Sequence, residues 1–371
     1  MGGAERWYRS LAERLADHHE VTYLTRRQWG EEGPGTPFRT VAVAPGGDLY
    51  TRSGRRRIWP PIRFGIGVFI HLLRHRSDYD AVHSNSFPYF SVLAAAAARR
   101  LSRSRTMLVV DWFEVWSREY WLSYAGPVAG RIGFAVQRLC ARLPDQSFVY
   151  SRLAEAELRE LGHGGPIGRL TGIYEGEPAS DPDVGGRPGP PLVVAAGRHI
   201  PEKRLDALPA AIDVARRKLP DLRCMILGAG PQTDAIRARV REQGMEDAIE
   251  LPGRVEHMRV VEAIAAASCL VHPSAREGYG LVVIEASSQG TPTIVVRGPE
   301  NAATELIEEG VNGFVAESAE PEALAEAIGK AVAGGAELRS STLDWYERRS
   351  HELSIESSLA QVEAAYEANH G

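Results

Sequence analysis

Short runs of aliphatic and β-branched residues alternate along the chain with longer stretches whose apolar positions recur at helical spacing. That alternation predicts an α/β fold built on parallel sheets. In the first half it places strands at 21–25, 39–44, 81–84, 107–111, 147–151 and 169–173, with helical stretches between them, such as 89–100 with its alanine run. Residues 174–191 are dense in Gly, Pro and Asp, which oppose both helix and sheet ladder, and they read as a linker. A second series of strands is predicted at 192–197, 223–227, 250–252, 269–272, 293–296 and 313–315. The tail from Asp344 is polar and helical. The domains expected are therefore 1–178 and 190–340, with a C-terminal helix, 344–371, packing back onto the first. No fixed-period repeat is present, which excludes a solenoid.

The opening of the chain breaks the pattern. An α/β domain of this kind begins with a buried strand and a glycine-rich turn, but here Gly2-Gly3-Ala4-Glu5 leads straight into a helix at 6–16. A missing central strand would leave unpaired backbone groups, so the expectation is a truncated start.

Length and composition add bounds. At 371 residues, 44% hydrophobic and 25% charged, the chain is globular and large enough for two domains. Residues 1–178 carry a balance of +6 and the rest −11, an asymmetry that fits either an anionic partner for the first half or a solvated mixed surface. Cys140, Cys224 and Cys269 lack framework or ligand spacing and fit buried thiols in a reducing compartment. No run is long enough to span a membrane and no leader opens the chain, so a cytoplasmic protein is expected. The segment 52–76 mixes arginines and histidines with Trp59, Ile62, Phe64 and Val68. It suits peripheral contact with the anionic inner face of a membrane; the other reading is a partly buried helix with snorkelling arginines.

Three strand-end motifs carry candidate chemistry. The first is Arg276-Glu277-Gly278-Tyr279-Gly280-Leu281 with Glu285 following. Glycines let backbone approach a ligand, free N–H groups at a helix start suit a phosphate, and Glu277 and Glu285, two helical turns apart, offer acceptors for ribose and sugar hydroxyls. The plainer reading is a strand–helix junction with surface acids. The second motif, Gly197 to Arg204 (GRHIPEKR), sets Arg198 and Lys203 at the end of a strand, where a diphosphate is their natural partner; alone, it would read as a loop with solvated charges. The third, Leu227-Gly228-Ala229-Gly230-Pro231, has only G-x-G, with Thr233 in place of the last glycine. It is a poor NAD fingerprint, but Gly228 and Gly230 fit one more backbone approach to the same ligand. In the first half, His83 ends one predicted strand, and Asp111 and Glu114 end the next. Asp181-Pro182-Asp183 spells a metal-binding D-x-D, yet lies in the linker and reads as turn chemistry. No metal cluster, P-loop or G-x-S-x-G motif is found, and no metal or cofactor is expected.

Taken together, GGAE near the start, GRHIPEKR, LGAGP, LPGRV, EGYGLVVIE and VNGFV resemble the retaining glycosyltransferases of family four. The resemblance covers the chain from its first residues to about residue 316. It implies the GT-B fold, two Rossmann-like domains with parallel sheets facing an interdomain cleft, and donor held mostly by the C-terminal domain without metal. It would give Arg198 and Lys203 the diphosphate, Glu277 the transferred sugar, Glu285 the ribose, the amides near Gly280 and Leu281 a phosphate, and Arg254–Val255 the border of the base. The leaving phosphate would take the acceptor's proton in a same-face mechanism. Departures lie in the first half. Members often place a histidine where this chain has Asp111-Trp112-Phe113-Glu114, which leaves Asp111, Glu114 or His83 to contact the sugar. Gly3, normally near donor phosphates or acceptor, is in doubt with the missing strand. The expected activity is hexosyl transfer from a nucleotide-diphospho-sugar, UDP- or GDP-linked, to a glycan, lipid or small molecule, with no nucleic-acid partner. Alternatives are a nucleotide-sugar epimerase and a non-catalytic nucleotide- or glycan-binding subunit; an NAD oxidoreductase fits least.

Overall fold

The computed structural model describes residues 3–30, 33, 35–47, 57–176 and 189–368. The chain divides into two compact units, one of Met1–Thr171 with Glu356–Gly371 and one of Gly172–Ile355.

The first unit runs α1 (Gly3–Leu15), β1 (Thr22–Arg26), β2 (Arg39–Ala44), α2 (Trp59–Arg74), β3 (Ala81–Asn85), α3 (Phe90–Ser102), β4 (Met107–Trp112), α4 (Arg118–Cys140), β5 (Gln146–Val149), α5 (Arg152–Glu160) and β6 (Ile167–Arg169). All its pairings are parallel: β3-β4-β5-β6 form one sheet and β1-β2 another. Among the described residues no strand precedes α1, and the strands of this unit fall into two sheets. Gly3 is already the first residue of α1, not part of a turn, and Gly2 lies outside the described residues. Every residue of β4 is buried, because both faces of the sheet are covered. Leu108, Val110 and Trp112 meet the alanine-rich face of α3 and Leu158 of α5, while Asp111 alternates to the other face.

The second unit contains β7 (Leu192–Ala196), α6 (Leu208–Arg216), β8 (Arg223–Leu227), α7 (Thr233–Glu242), β9 (Ile249–Gly253), α8 (His257–Ala266), β10 (Cys269–His272), β11 (Arg276–Glu277), α9 (Leu281–Ser288), β12 (Thr293–Val296), β13 (Glu300–Asn301), β14 (Gly313–Ala316) and α10 (Pro321–Leu353). Six parallel strands lie in the order β14-β12-β10-β7-β8-β9, and β11 pairs separately with β13. Strand residues alternate between two apolar layers. Val193, Ala195, Ile226 and Val271 pack with α6, α7 and α10, whereas Val194, Leu227 and Leu270 pack with Ile264 and Ala286. The long α10 is broken at Gly335, and α11 (Ile355–Glu367) carries the chain back to the first unit. Glu277 lies on β11, before the mouth of the helix, and Glu285 lies within α9, which starts at Leu281.

Candidate active site

Because the strands of the second unit are parallel, their carboxyl ends share one edge, where open α/β sheets bind ligands. The motifs after β10, β7, β8 and β9 follow neighbouring strands and so stand side by side along that edge.

Lys203 closes a 3₁₀ turn, Pro201–Lys203, after β7, and its ammonium pairs with Glu277 Oε2. The same carboxylate oxygen lies 2.7 Å from His272 Nε2, which is 3.1 Å from Ser274 Oγ. Burial pushes His272 below its usual value and the neighbouring Lys203 charge adds to this, so the ring is neutral near pH 7. An ionised carboxylate only accepts, which assigns Nε2–H as donor to Glu277. For Glu277 burial alone would raise the pKa, but Lys203 and His272 overcome it and hold the group well below the ordinary carboxylate range. Its backbone is fixed by β11, registered on β13 with Glu277 opposite Asn301. Buried Asn301 ties that strand down by donating to Ser274 O at 3.0 Å and Val296 O at 2.7 Å. The outcome is a preorganised anion and cation, each about one-fifth exposed or less (20% and 16%).

Beyond Glu277, Gly280 begins α9 in the left-handed region, φ 99°, with no side-chain cap. The first N–H groups of α9 are thus left without a side-chain partner at the cap, and they suit an anion. A Cβ at Gly280 would also lie 2.8 Å from the Ala303 methyl. Glu285 sits one turn inside α9, half-buried, near Tyr174, whose hydroxyl bonds Ser288 Oγ at 2.8 Å. Arg198 and Arg254 are exposed at the ends of β7 and β9, and Val255 packs against the cluster of Val194 and Leu227.

Gly228 and Gly230 have a reason that spacing did not reveal. A Cβ would lie 1.9 Å from Gly197 O at the first and 2.4 Å from His199 O at the second. Their lack of a side chain lets the loops after β7 and β8 interlock, through His199 N–H to Ala229 O and Gln232 N–H to His199 O. Thr233 completes the lock, accepting from Gly230 N–H at 2.9 Å and bonding His199 Nδ1 at 2.9 Å.

In the first unit Asp111 is wholly buried. Its Oδ2 accepts from Trp7 Nε1 at 3.0 Å and Tyr150 OH at 3.1 Å, and its Oδ1 lies 2.7 Å from His83 Nε2. His83 in turn meets Tyr366 OH of α11 at 2.8 Å. Asp111 and His83 therefore form one network joining α1, β3, β4 and α11. Glu114 stands apart, half-buried, accepting from Trp116 Nε1 at 3.1 Å. Gly3 is separated from this network by one turn of α1. His272, Ser274, Asn301, Trp7, Tyr150 and Tyr366 were not singled out from the sequence; a His-Pro-Ser closing a strand just before Glu277 was the available signal for the first two. Asp181 and Asp183 lie outside the described residues, and among the described residues no group of three metal-ligating side chains converges.

Residues 2–176 match the family model of the glycosyl transferase 4-like domain, and residues 178–342 match that of glycosyl transferases group 1. The chain belongs to the glycosyltransferases. Among curated relatives of the chain, a D-inositol 3-phosphate glycosyltransferase of Streptomyces griseus is 34% identical over 36% of this chain and 30% of its own length. A GDP-mannose-dependent alpha-(1-6)-phosphatidylinositol monomannoside mannosyltransferase of Mycolicibacterium smegmatis is 28% identical over 38% of this chain and 39% of its own. These matches span well under half of each relative. In fold the chain is similar to a sucrose-phosphate synthase of Thermosynechococcus elongatus, with TM-score 0.81 and 21% identity over 99% of this chain and 93% of that one. It is also similar to Anabaena HepE in complex with UDP and glucose, with TM-score 0.72 and 18% identity over 99% and 96%. The fold is GT-B, with two Rossmann-like units built on parallel sheets.

Proposed function

We propose that the transferase moves a sugar from a nucleotide-diphospho-sugar to a glycan, lipid or small-molecule acceptor, with retention at the anomeric carbon. The observation that carries this reading is the Lys203–Glu277–His272 cluster at the carboxyl edge of the second sheet, beside the uncapped start of α9. A diphosphate and a sugar hydroxyl are the two chemistries that this cation and this carboxylate accept.

In this reading Lys203 and Arg198 take the diphosphate, Gly280 and Leu281 offer amides to a phosphate, and Glu285 holds the ribose. Arg254 and Val255 border the base. A diphosphate at Lys203 competes with Glu277 for the ammonium, which frees Glu277 to bind hydroxyls of the transferred sugar. As the anomeric carbon–oxygen bond breaks, charge grows on the leaving phosphate, and Lys203 and Arg198 stabilise it. The acceptor hydroxyl attacks from the same face, and its proton passes to the departing phosphate oxygen. Relatives named for GDP-mannose and a fold relative holding UDP support a UDP- or GDP-linked donor. Residues 190–340 are assigned the donor and 1–178 the acceptor. Glu114, more accessible than Asp111, is the N-terminal carboxylate we assign to substrate contact. Buried free thiols at Cys140, Cys224 and Cys269 support a reducing, cytoplasmic compartment.

The test is proton NMR of reactions with UDP- and GDP-sugars and a panel of glycan and lipid acceptors. Release of nucleoside diphosphate together with a product of unchanged anomeric configuration is expected. An inverted product would remove the retaining mechanism, and consumption of NAD instead would remove the whole reading.

A further inference from the structure

Residues 49–77 contain seven arginines and no Asp or Glu. Within this stretch α2 turns Pro61, Gly65, Val68, His71 and Leu72 into the first unit. The opposite face follows the helical repeat through Trp59, Arg63, Ile66, Ile70 and Arg74, all exposed. Trp59 is 65% exposed, Ile66 53% and Ile70 41%, and Ile58, 70% exposed, extends the stripe beside exposed Arg57. Arginines that snorkel cover buried apolar surface with their stems; here the arginines share a face with bare Trp and Ile side chains. An apolar stripe flanked by cations and free of carboxylates matches one kind of surface, in which apolar chains lie beneath negatively charged head groups.

We infer that the outward face of α2 docks on an anionic lipid bilayer, with Trp59, Ile66 and Ile70 entering the head-group boundary and Arg57, Arg63 and Arg74 meeting lipid phosphates. This goes beyond the transfer reaction and stands without it, because vesicle binding needs neither donor nor acceptor. A rival lies on α4, where Tyr124, Val128, Ile132 and Leu139 are also exposed. Its exposed apolar positions form the internal comparison.

The experiment is flotation of the purified chain with phosphatidylcholine vesicles, with and without phosphatidylglycerol, at low and high salt. Wild type is expected to float with the anionic vesicles only, and less as salt rises. Arg63→Gln should weaken binding about fivefold, the effect of one surface arginine. The triple change Trp59→Ser, Ile66→Ser and Ile70→Ser should abolish it, with circular dichroism and melting unchanged because these side chains are solvent-exposed. Val128→Ser with Ile132→Ser should float as wild type does. No flotation of wild type, equal flotation of the triple variant, or loss only in the α4 variant would overturn the inference. So would self-association of wild type that the α2 triple change abolishes, since a second copy would then occupy the stripe.

Discussion

Lys203 and Glu277, seventy-four residues apart in the chain, form one ion pair at the carboxyl edge of the second sheet, and His272 bonds the same carboxylate oxygen. The cation is delivered by the turn after β7 and the carboxylate by β11. Holding the pair therefore depends on sheet order and on Asn301, which anchors β13 against β11. The neutral imidazole between burial and the ion pair fixes where Glu277 can point.

His272 is accordingly a positioning residue for Glu277. His272→Ala should lower kcat by about 10²-fold, the cost of a carboxylate displaced by about 1 Å, while nucleoside diphosphate affinity stays near wild type. Steady-state kinetics beside calorimetric titration separate the two effects. A variant that loses nucleotide affinity and turnover together would place His272 in binding instead.

Acid should unfold this unit through the same cluster and through His199 of the interlocked loops. His272 and His199 are held below the ordinary histidine value of 6.5, mainly by burial, so the unfolded chain binds their protons first. Their contribution is complete above pH 6.5 and fades as pH falls below it; Glu277, held below its ordinary 4.5, adds a second loss under that value. Melting curves from pH 8 to pH 4 should show stability falling below about pH 6.5, less steeply in His272→Gln.

Asp111 should behave as a structural carboxylate. Removing it strands the Trp7 and Tyr150 donors and the His83 contact in the interior. Asp111→Ala is expected to cost about 3 kcal/mol, a fall in Tm of roughly 6–12 °C, with nucleotide affinity unchanged. Glu114→Ala should leave Tm near wild type and raise the acceptor KM. Thermal scans and acceptor saturation curves decide between the two residues.

What could be read in the sequence follows from what sets each feature. Strands 223–227, 269–272 and 293–296 agree with β8, β10 and β12, since parallel strands covered on both faces leave near-continuous apolar runs, and 39–44 agrees with β2, which stays partly exposed beside β1. The strand predicted at 169–173 lies instead at Ile167–Arg169, where Pro166 and Gly168 hide the signal and pairing with β5 decides. Lys203 and Glu277 were each visible as residues, but not as partners, because β11 and β13 are two residues long and carry no periodicity. Asp111 was legible as a strand-end carboxylate, while its burial depends on Trp7, Tyr150 and His83 from three distant segments. Gly228 and Gly230 looked like ligand-facing glycines; the Gly197 and His199 carbonyls that they admit are a tertiary fact.

The central claim is that Lys203 holds the donor diphosphate, and the most direct measurement is the melting temperature of wild type and Lys203→Ala against UDP, GDP, ADP, TDP and NAD. At about 100 times its dissociation constant a bound nucleotide adds about 2.7 kcal/mol, a rise of roughly 5–10 °C for a unit of this size. The account predicts such a rise with UDP or GDP in wild type and its loss in Lys203→Ala. A rise with NAD alone, or a UDP or GDP response undiminished in Lys203→Ala, would contradict it.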